Sequence, residues 1–423
     1  MIVTLTGLAC RLVAQAPQRP AAEAAEQAHA ELWRRFVDRH GILLDFTALD
    51  GTVELPTPEE CRAGQPNALG WWSPTENGAM FNGLYLDAAV NRWRHTRTAD
   101  DAAKVRRLVA GLVLLASLSE VLGFVGRGVS TDGRSHYPLG SDDQTLPWFY
   151  GLWRYLDSGL ATADERARLV PKLVEVAEAL QALGWAMPAE PPFGRRGSFA
   201  GFDHGQPARL LFVLKLLAWA TGDARWDEGY QAALHERGGP EGRSRLEACA
   251  RGMVFWYAPT HNWTSCCEVA ALRGLWELER EPAAKAAYAH GLQASADLAA
   301  RSLELADRFD PADAQTFSPD WRTPMLPLWR PQTTAQQAEA VAHEQLRAFL
   351  RHFPRRGVET AFVREPTAAA WIVTLTPDES VLAARRAAVE RVIARYDYAR
   401  LHYSTFFWAE SAWWRLTAPP VLR

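Results

Sequence analysis

The chain has 423 residues, of which 48% are hydrophobic and 22% charged, and its net charge is −3. This is long enough to bury a large core without disulfides or metals, and the near-neutral balance, with no long basic run, argues against a nucleic-acid or membrane-surface partner. No stretch approaches the roughly 18–20 uninterrupted apolar residues of a membrane span.

Residues 1–16 are mostly apolar and end Ala14-Gln15-Ala16, which resembles a signal-peptidase site. Arg11 interrupts the apolar run, however, no basic segment precedes it, and Pro17 follows. An export signal and a plain cytoplasmic start are both compatible with this. Cys10, Cys61, Cys249, Cys266 and Cys267 are odd in number and include one vicinal pair, which suits neither a disulfide framework nor zinc. They are expected as small buried hydrophobes, with no metal and no cofactor. Eighteen tryptophans stand out, and they suit either an aromatic core or stacking against sugar rings.

Beyond the start, apolar residues recur at i, i+3, i+4 and i+7 in segment after segment. The pattern predicts helices near residues 21–40, 78–95, 99–122, 143–157, 162–184, 206–221, 223–236, 241–252, 266–280, 282–308, 334–353, 380–397 and 404–416, with short strands at 42–46 and 371–375. Segments near 146–156, 210–219, 269–278 and 406–416 are apolar or aromatic on most faces, so they should be buried on both sides. Segments near 99–122, 163–183 and 282–305 carry charged stripes and belong outside.

Polar loops feed the buried helices at regular intervals. With Glu76, Asp143, Asp203 and His261 as markers, the spacing is about 60 residues, one hairpin of two helices with generous loops. Six hairpins closing in a ring would use about 360 residues. The expected fold is therefore all-α, an (α/α)6 toroid over residues 71–423 with an N-terminal extension, residues 1–70. An open solenoid of helix pairs is the alternative.

The richest loop, residues 126–145, holds Asp132, Arg134, His136, Tyr137, Asp142 and Asp143, more proton-handling chemistry than a turn requires. Asp142 and Asp143 stand where a helix begins, so one of them suits an N-cap and the other is left for catalysis. Adjacent like charges favour one acid and one anion. Glu76 opens the first buried helix and is either a first-turn carboxylate favouring the helix dipole or the opposing carboxyl of a pair. His136 and His204 bring imidazoles to successive hairpin entrances. Asp203, Gln144, His261, Asn262 and Trp263 lie on the same entrances, and Arg127 or Arg134 would meet a substrate carboxylate. The acidic pair continues Gln-Thr-Leu without a third carboxylate, unlike a diphosphate-binding cluster, and no phosphate loop, His-Glu-x-x-His or Gly-x-Ser-x-Gly occurs.

The runs Trp71-Trp72-Ser-Pro-Thr-Glu76-Asn-Gly, Ser141-Asp142-Asp143-Gln144-Thr-Leu-Pro-Trp and Phe202-Asp203-His204-Gly-Gln206 make the chain similar to the six-hairpin glycosidase superfamily, over residues 69–416. The resemblance implies a carbohydrate-active enzyme. Members include unsaturated uronyl hydrolases, which use a pair of aspartates, and related barrels house polysaccharide lyases and sugar epimerases. The leading expectation is hydrolysis of a uronate-containing oligosaccharide, with Asp142, Asp143 and Glu76 sharing acid and base roles and the sugar stacked on Trp71, Trp72 and Trp263. A uronate lyase or epimerase using His136, Tyr137 and His204 is the second, and a non-catalytic glycan-binding toroid the third.

Overall fold

The computed structural model describes residues 19–203, 205–253 and 261–417. The signal-like start, Cys10 and His204 lie outside the described residues. Helix makes up 64% of the chain and strand 4%. The helices are α1 (Ala21–Glu31), α2 (Pro58–Ala63), α3 (Gly78–Thr96), α4 (Ala99–Leu115), α5 (Asp142–Asp157), α6 (Ala163–Ala182), α7 (Gln206–Thr221), α8 (Ala224–His235), α9 (Arg245–Ala250), α10 (Asn262–Leu278), α11 (Pro282–Ala299), α12 (Arg322–Met325), α13 (Ala335–His352), α14 (Arg355–Glu359), α15 (Glu365–Thr374), α16 (Glu379–Ala394) and α17 (Phe407–Thr417). Two short antiparallel hairpins, Ala186–Pro188 with Arg195–Ser198 and Arg237–Gly238 with Arg243–Ser244, are the sheets among the described residues.

The two kinds of helix are capped differently. The surface helices α4, α6, α8, α11, α13 and α16 each start on a side chain that accepts a backbone amide: Thr98, Thr162, Asp223, Glu281, Thr334 and Asp378. Such caps satisfy amides that the helix itself leaves without partners. The helices buried on nearly every face, α3, α5, α7, α10 and α15, have no side-chain cap. Ser141 occupies the N-cap position of α5, so Asp142 and Asp143 are its first two helical residues and neither is the cap expected from the sequence.

Two elements depart from expectation. Residues 371–375, read as a strand from the run Trp-Ile-Val-Thr-Leu, lie in α15 and its cap, because burial on all sides erases the periodicity that separates helix from strand. Within the N-terminal extension, Ala24, Ala25, Ala28, Leu32, Phe36, Ile42 and Leu43 belong to the main core, and α1 packs on α16 and α17. Residues 42–46 form only isolated bridges, Val37 with Leu43 and Phe46 with Tyr403.

Among the buried helices α3 packs on α5 and α17, α10 on α5, α7 and α15, and α15 on α17. α3 and α5 approach closely where Gly83 meets Gly151; a Cβ on Gly83 would sit 1.9 Å from the Pro147 carbonyl oxygen, so no larger residue fits. Below this contact, five helices meet in a buried ion cluster. Asp87 of α3 accepts Arg415 Nε at 2.7 Å and Arg415 Nη2 at 2.6 Å, lies 3.0 Å from Arg154 Nε, and also accepts Trp371 Nε1 at 3.0 Å. Glu277 of α10 lies 3.3 Å from Arg154 Nη1 and accepts Arg273 Nε at 2.7 Å. Burial alone would push both carboxyls up, but the surrounding guanidiniums more than reverse it and hold both below their ordinary values.

Removing one charge strands the others, so Asp87→Asn should lower the stability measured by urea unfolding at pH 7 by about 3–5 kcal/mol. Because both carboxyls are depressed, their contribution is fully present above the unfolded values of about 4 and is lost as pH falls through the lower folded values. The wild type should therefore lose stability more steeply on acidification than Asp87→Asn does.

Candidate functional site

The beginnings of the buried helices are tied side by side by polar contacts. Gln144 in the first turn of α5 accepts Met80 N of α3 at 3.0 Å and donates to Asn77 at 3.1 Å. Glu365 at the start of α15 accepts Asn262 N, the first amide of α10, at 2.7 Å. Arg209, in the first turn of α7, donates to Asp142 at 2.6 Å and to Glu268 of α10. Asp45 accepts Asn77 N at 2.8 Å while its carbonyl accepts Ser404 N, just ahead of α17, at 3.0 Å. With no caps of their own, these helix ends present positive dipoles to a shared mouth.

Asp143 is half-buried in that mouth. The Ser141 hydroxyl donates to it, and Arg127 Nη2 lies 3.7 Å away. Burial pushes its carboxyl up, but Arg127, Arg196 and Arg209 together with Ser141 prevail and hold it below the ordinary value, ionised at neutral pH. Pro147 has no N–H, so the α-helical bond to the Asp143 carbonyl is missing; the Cys267 thiol points at that oxygen from 3.8 Å. Burial pushes the Cys267 thiol well up, which keeps it a donor. Cys61, Cys249, Cys266 and Cys267 are all buried and unpaired, as the sequence suggested.

Glu76 is buried, accepts Trp72 N at 2.8 Å and lies 3.7 Å from Arg356 Nη2. Arg127 is buried too, and its guanidinium is engaged by the Glu76 carbonyl at 3.0 Å, the Leu139 carbonyl at 3.1 Å and Ser141 Oγ at 2.7 Å. It holds the loop onto the mouth and polarises Asp143. Burial and then the Glu76 charge push Asp45 well above the usual carboxylate range. Trp71 and Trp72 form one aromatic wall, with Arg196 stacked 5.2 Å over Trp71 and Arg356 4.8 Å over Trp72. Trp263 forms another, under Arg364 at 4.4 Å, and its indole donates to His261 Nε2 at 3.1 Å. Burial, then the Arg364 charge, lowers His261 to about 4, so it is a neutral imidazole.

The mouth therefore brings together Asp142, Asp143, Glu76, Arg127, Gln144, Trp71, Trp72, His261, Asn262 and Trp263. Of the other expected site residues, Arg134, His136, Tyr137 and Asp132 are engaged away from it. Arg134 and His136 line a pocket of about 430 Å³ with Cys61, Glu190 and Phe193. His136 Nε2 is 3.1 Å from Glu190, which also accepts the Ser119 hydroxyl at 2.6 Å. Burial lowers the His136 imidazole, but the Glu190 partner raises it further, with a net rise. Tyr137 is buried and donates to the Gln65 carbonyl at 2.6 Å, packed so closely under Gly70 that a Cβ there would lie 2.2 Å from its ring. Asp132 accepts amides of Arg134 and Ser135 within its own turn, and Asp203 is exposed in the turn entering α7. Both serve loop geometry.

Six charged residues of the mouth were not expected: Arg196, Arg209, Glu268, Arg356, Arg364 and Glu365. Arg209 and Glu268 are charges set among the apolar residues that open largely apolar helices, which is itself the signal that could have found them, since a buried charge needs a partner. Gly205 is required beside them, because a Cβ there would meet Glu268 Cγ at 1.3 Å. Among the described residues no cluster of three or more His, Cys, Asp or Glu is arranged to hold a metal ion, and no helix is long and apolar enough to cross a membrane. Comparison with protein-family models, curated proteins and solved structures returned no match.

The two imidazoles should titrate on opposite sides of the ordinary value of about 6.5, His261 near 4 and His136 above it. Proton NMR of the ring C–H resonances, assigned with His261→Gln and His136→Gln, checks this. Since the His136 pKa is raised by folding, its stabilisation is present below about 6.5 and lost as pH rises through the folded value; Glu190→Gln should abolish that dependence.

Proposed function

We propose that the protein is an (α/α)6 toroid of the six-hairpin glycosidase kind and a glycoside hydrolase acting on a uronate-containing oligosaccharide. The ring is supported by the neighbour relations of the buried helices: α3 to α5, α5 to α7, α7 to α10, α10 to α15, α15 to α17, and α17 back to α3. α1 packs on the outside of this set, against α16 and α17.

The observation that carries the chemistry is Asp143: a half-buried carboxylate held ionised by guanidiniums, in a mouth walled by Trp71, Trp72 and Trp263. In the proposed reaction Asp143 takes a proton from water as the water oxygen bonds to the anomeric carbon. Glu76, which takes its proton from the neighbouring Asp45 carboxyl, gives it to the departing glycosidic oxygen. Indole faces stack on the apolar faces of the sugar and hold it in place. The neutral His261 favours a second reading, uronate elimination or epimerisation, in which its ring would exchange the bond from the Trp263 indole for the substrate's proton. His136 and Tyr137, the groups first expected to do this, point elsewhere.

The test is turnover on a panel of uronate and neutral oligosaccharides with reducing-end and ultraviolet readouts together. Asp143→Asn should retain its fold by circular dichroism and lose about 10²–10⁴-fold in turnover. New reducing ends without ultraviolet absorbance are the expected products; absorbance from a conjugated uronate identifies a lyase. Binding without turnover in the wild type would leave a non-catalytic glycan-binding toroid.

A further inference from the structure

Arg356 is the least satisfied cation of the mouth. Its side chain is 11% exposed, and its guanidinium lies over three rings, Trp72 at 4.8 Å, Tyr403 at 5.3 Å and Phe349 at 5.4 Å. Rings hold the faces of a guanidinium and leave its in-plane N–H groups without acceptors. Glu76, at 3.7 Å, is too distant for a hydrogen bond, and Arg356 Nη1 is buried with no partner among the described residues. The Tyr403 hydroxyl beside it is buried too, with the Arg356 guanidinium as its polar neighbour and no acceptor for its own proton among the described residues. Arg364, which feels the charges of both Arg356 and Glu76, also has its Nε buried with no partner among the described residues, although Glu365 lies 3.1 Å from its Nη2. The other arginines of the mouth differ: Arg127 is engaged by two carbonyls and a hydroxyl, Arg196 donates to Glu339 at 2.9 Å, and Arg209 is shared by two carboxylates.

We propose that Arg356, with the Tyr403 hydroxyl and assisted by Arg364, is an anion subsite that binds the carboxylate of an acidic sugar. A guanidinium fixed edge-on by stacked rings presents two parallel donors, the geometry that a planar carboxylate fills with two bonds, and the tyrosine hydroxyl supplies a third donor. Trp72, under the same guanidinium, offers its remaining surface to the sugar ring. The proposal rests on the mouth being a sugar site but not on catalysis there. It moves carboxylate recognition from Arg127 and Arg134, one engaged by the loop and the other outside the mouth, to a residue that no sequence motif marks.

The test is calorimetric titration of the wild type, Arg356→Gln, Arg356→Lys and Tyr403→Phe with free D-glucuronate, D-glucose and inorganic sulfate, alongside thermal melts. Glucuronate should bind the wild type more tightly than glucose does. Arg356→Gln should weaken glucuronate at least tenfold and leave glucose unchanged, and Tyr403→Phe should weaken glucuronate severalfold. Arg356→Lys, which keeps the charge without the planar fork, should also bind glucuronate more weakly, and it decides the matter should the glutamine variant not fold. Equal glucuronate affinity in the wild type and the folded Arg356 variants overturns the subsite, as does sulfate binding without glucuronate binding. Arg356-dependent glucuronate binding in a protein with no turnover on any glycoside would sink the hydrolase reading alone. Turnover that Arg356→Gln leaves unchanged on acidic substrates would sink the subsite alone.

Discussion

The buried ion cluster of Asp87, Arg154, Arg273, Glu277 and Arg415 is the constraint on which the rest of the structure depends. Charges removed from water are tolerated only with near-complete pairing, so these residues admit few relative placements of the helices that carry them. α3, α5, α10 and α17 contribute the charges, and α15 adds the Trp371 indole and the Leu375 carbonyl. An apolar core of the same size would tolerate sliding, since hydrophobic contact has no direction. The cluster fixes axial register instead, and with the Gly83–Gly151 approach it fixes how far each helix end protrudes into the mouth.

Register at one end sets chemistry at the other. Asp143 acquires its ionised state from Arg127, Arg196 and Arg209, which reach it from a loop, a hairpin and a neighbouring helix. A slip of one turn, about 5.4 Å, would separate every one of these pairs. The mouth is thus a set of charges positioned by a distant set of charges, with apolar and aromatic layers between them.

Part of this was legible in the sequence. The polar loop at residues 126–145 running into an aromatic helix marked Asp142 and Asp143, because a dense polar loop feeding a fully apolar helix has few structural uses. The alternation of wholly apolar with striped helices marked which helices are buried and which are not. What was hidden followed from burial. The run Trp371–Ile372–Val373–Thr374 has the β-branched composition of a strand, and only neighbours on every side make it a helix. Arg356 and Arg364 sit in a stretch without loop-like composition, and nothing local distinguishes an arginine packed under rings from one facing solvent. His136 and Tyr137 failed for the opposite reason: their loop carries the right chemistry but turns it toward Glu190 and the Gln65 carbonyl.

The division of capping between the two sets of helices has a consequence for change over time. Surface helices secure their own first turns with Thr98, Thr162, Asp223, Glu281, Thr334 and Asp378, so local stability is supplied on the periphery and independently of whatever lines the entrance. Side chains at the entrance can then be exchanged one by one while the scaffold persists. In a scaffold built this way, change at the entrance and persistence of the framework are separable.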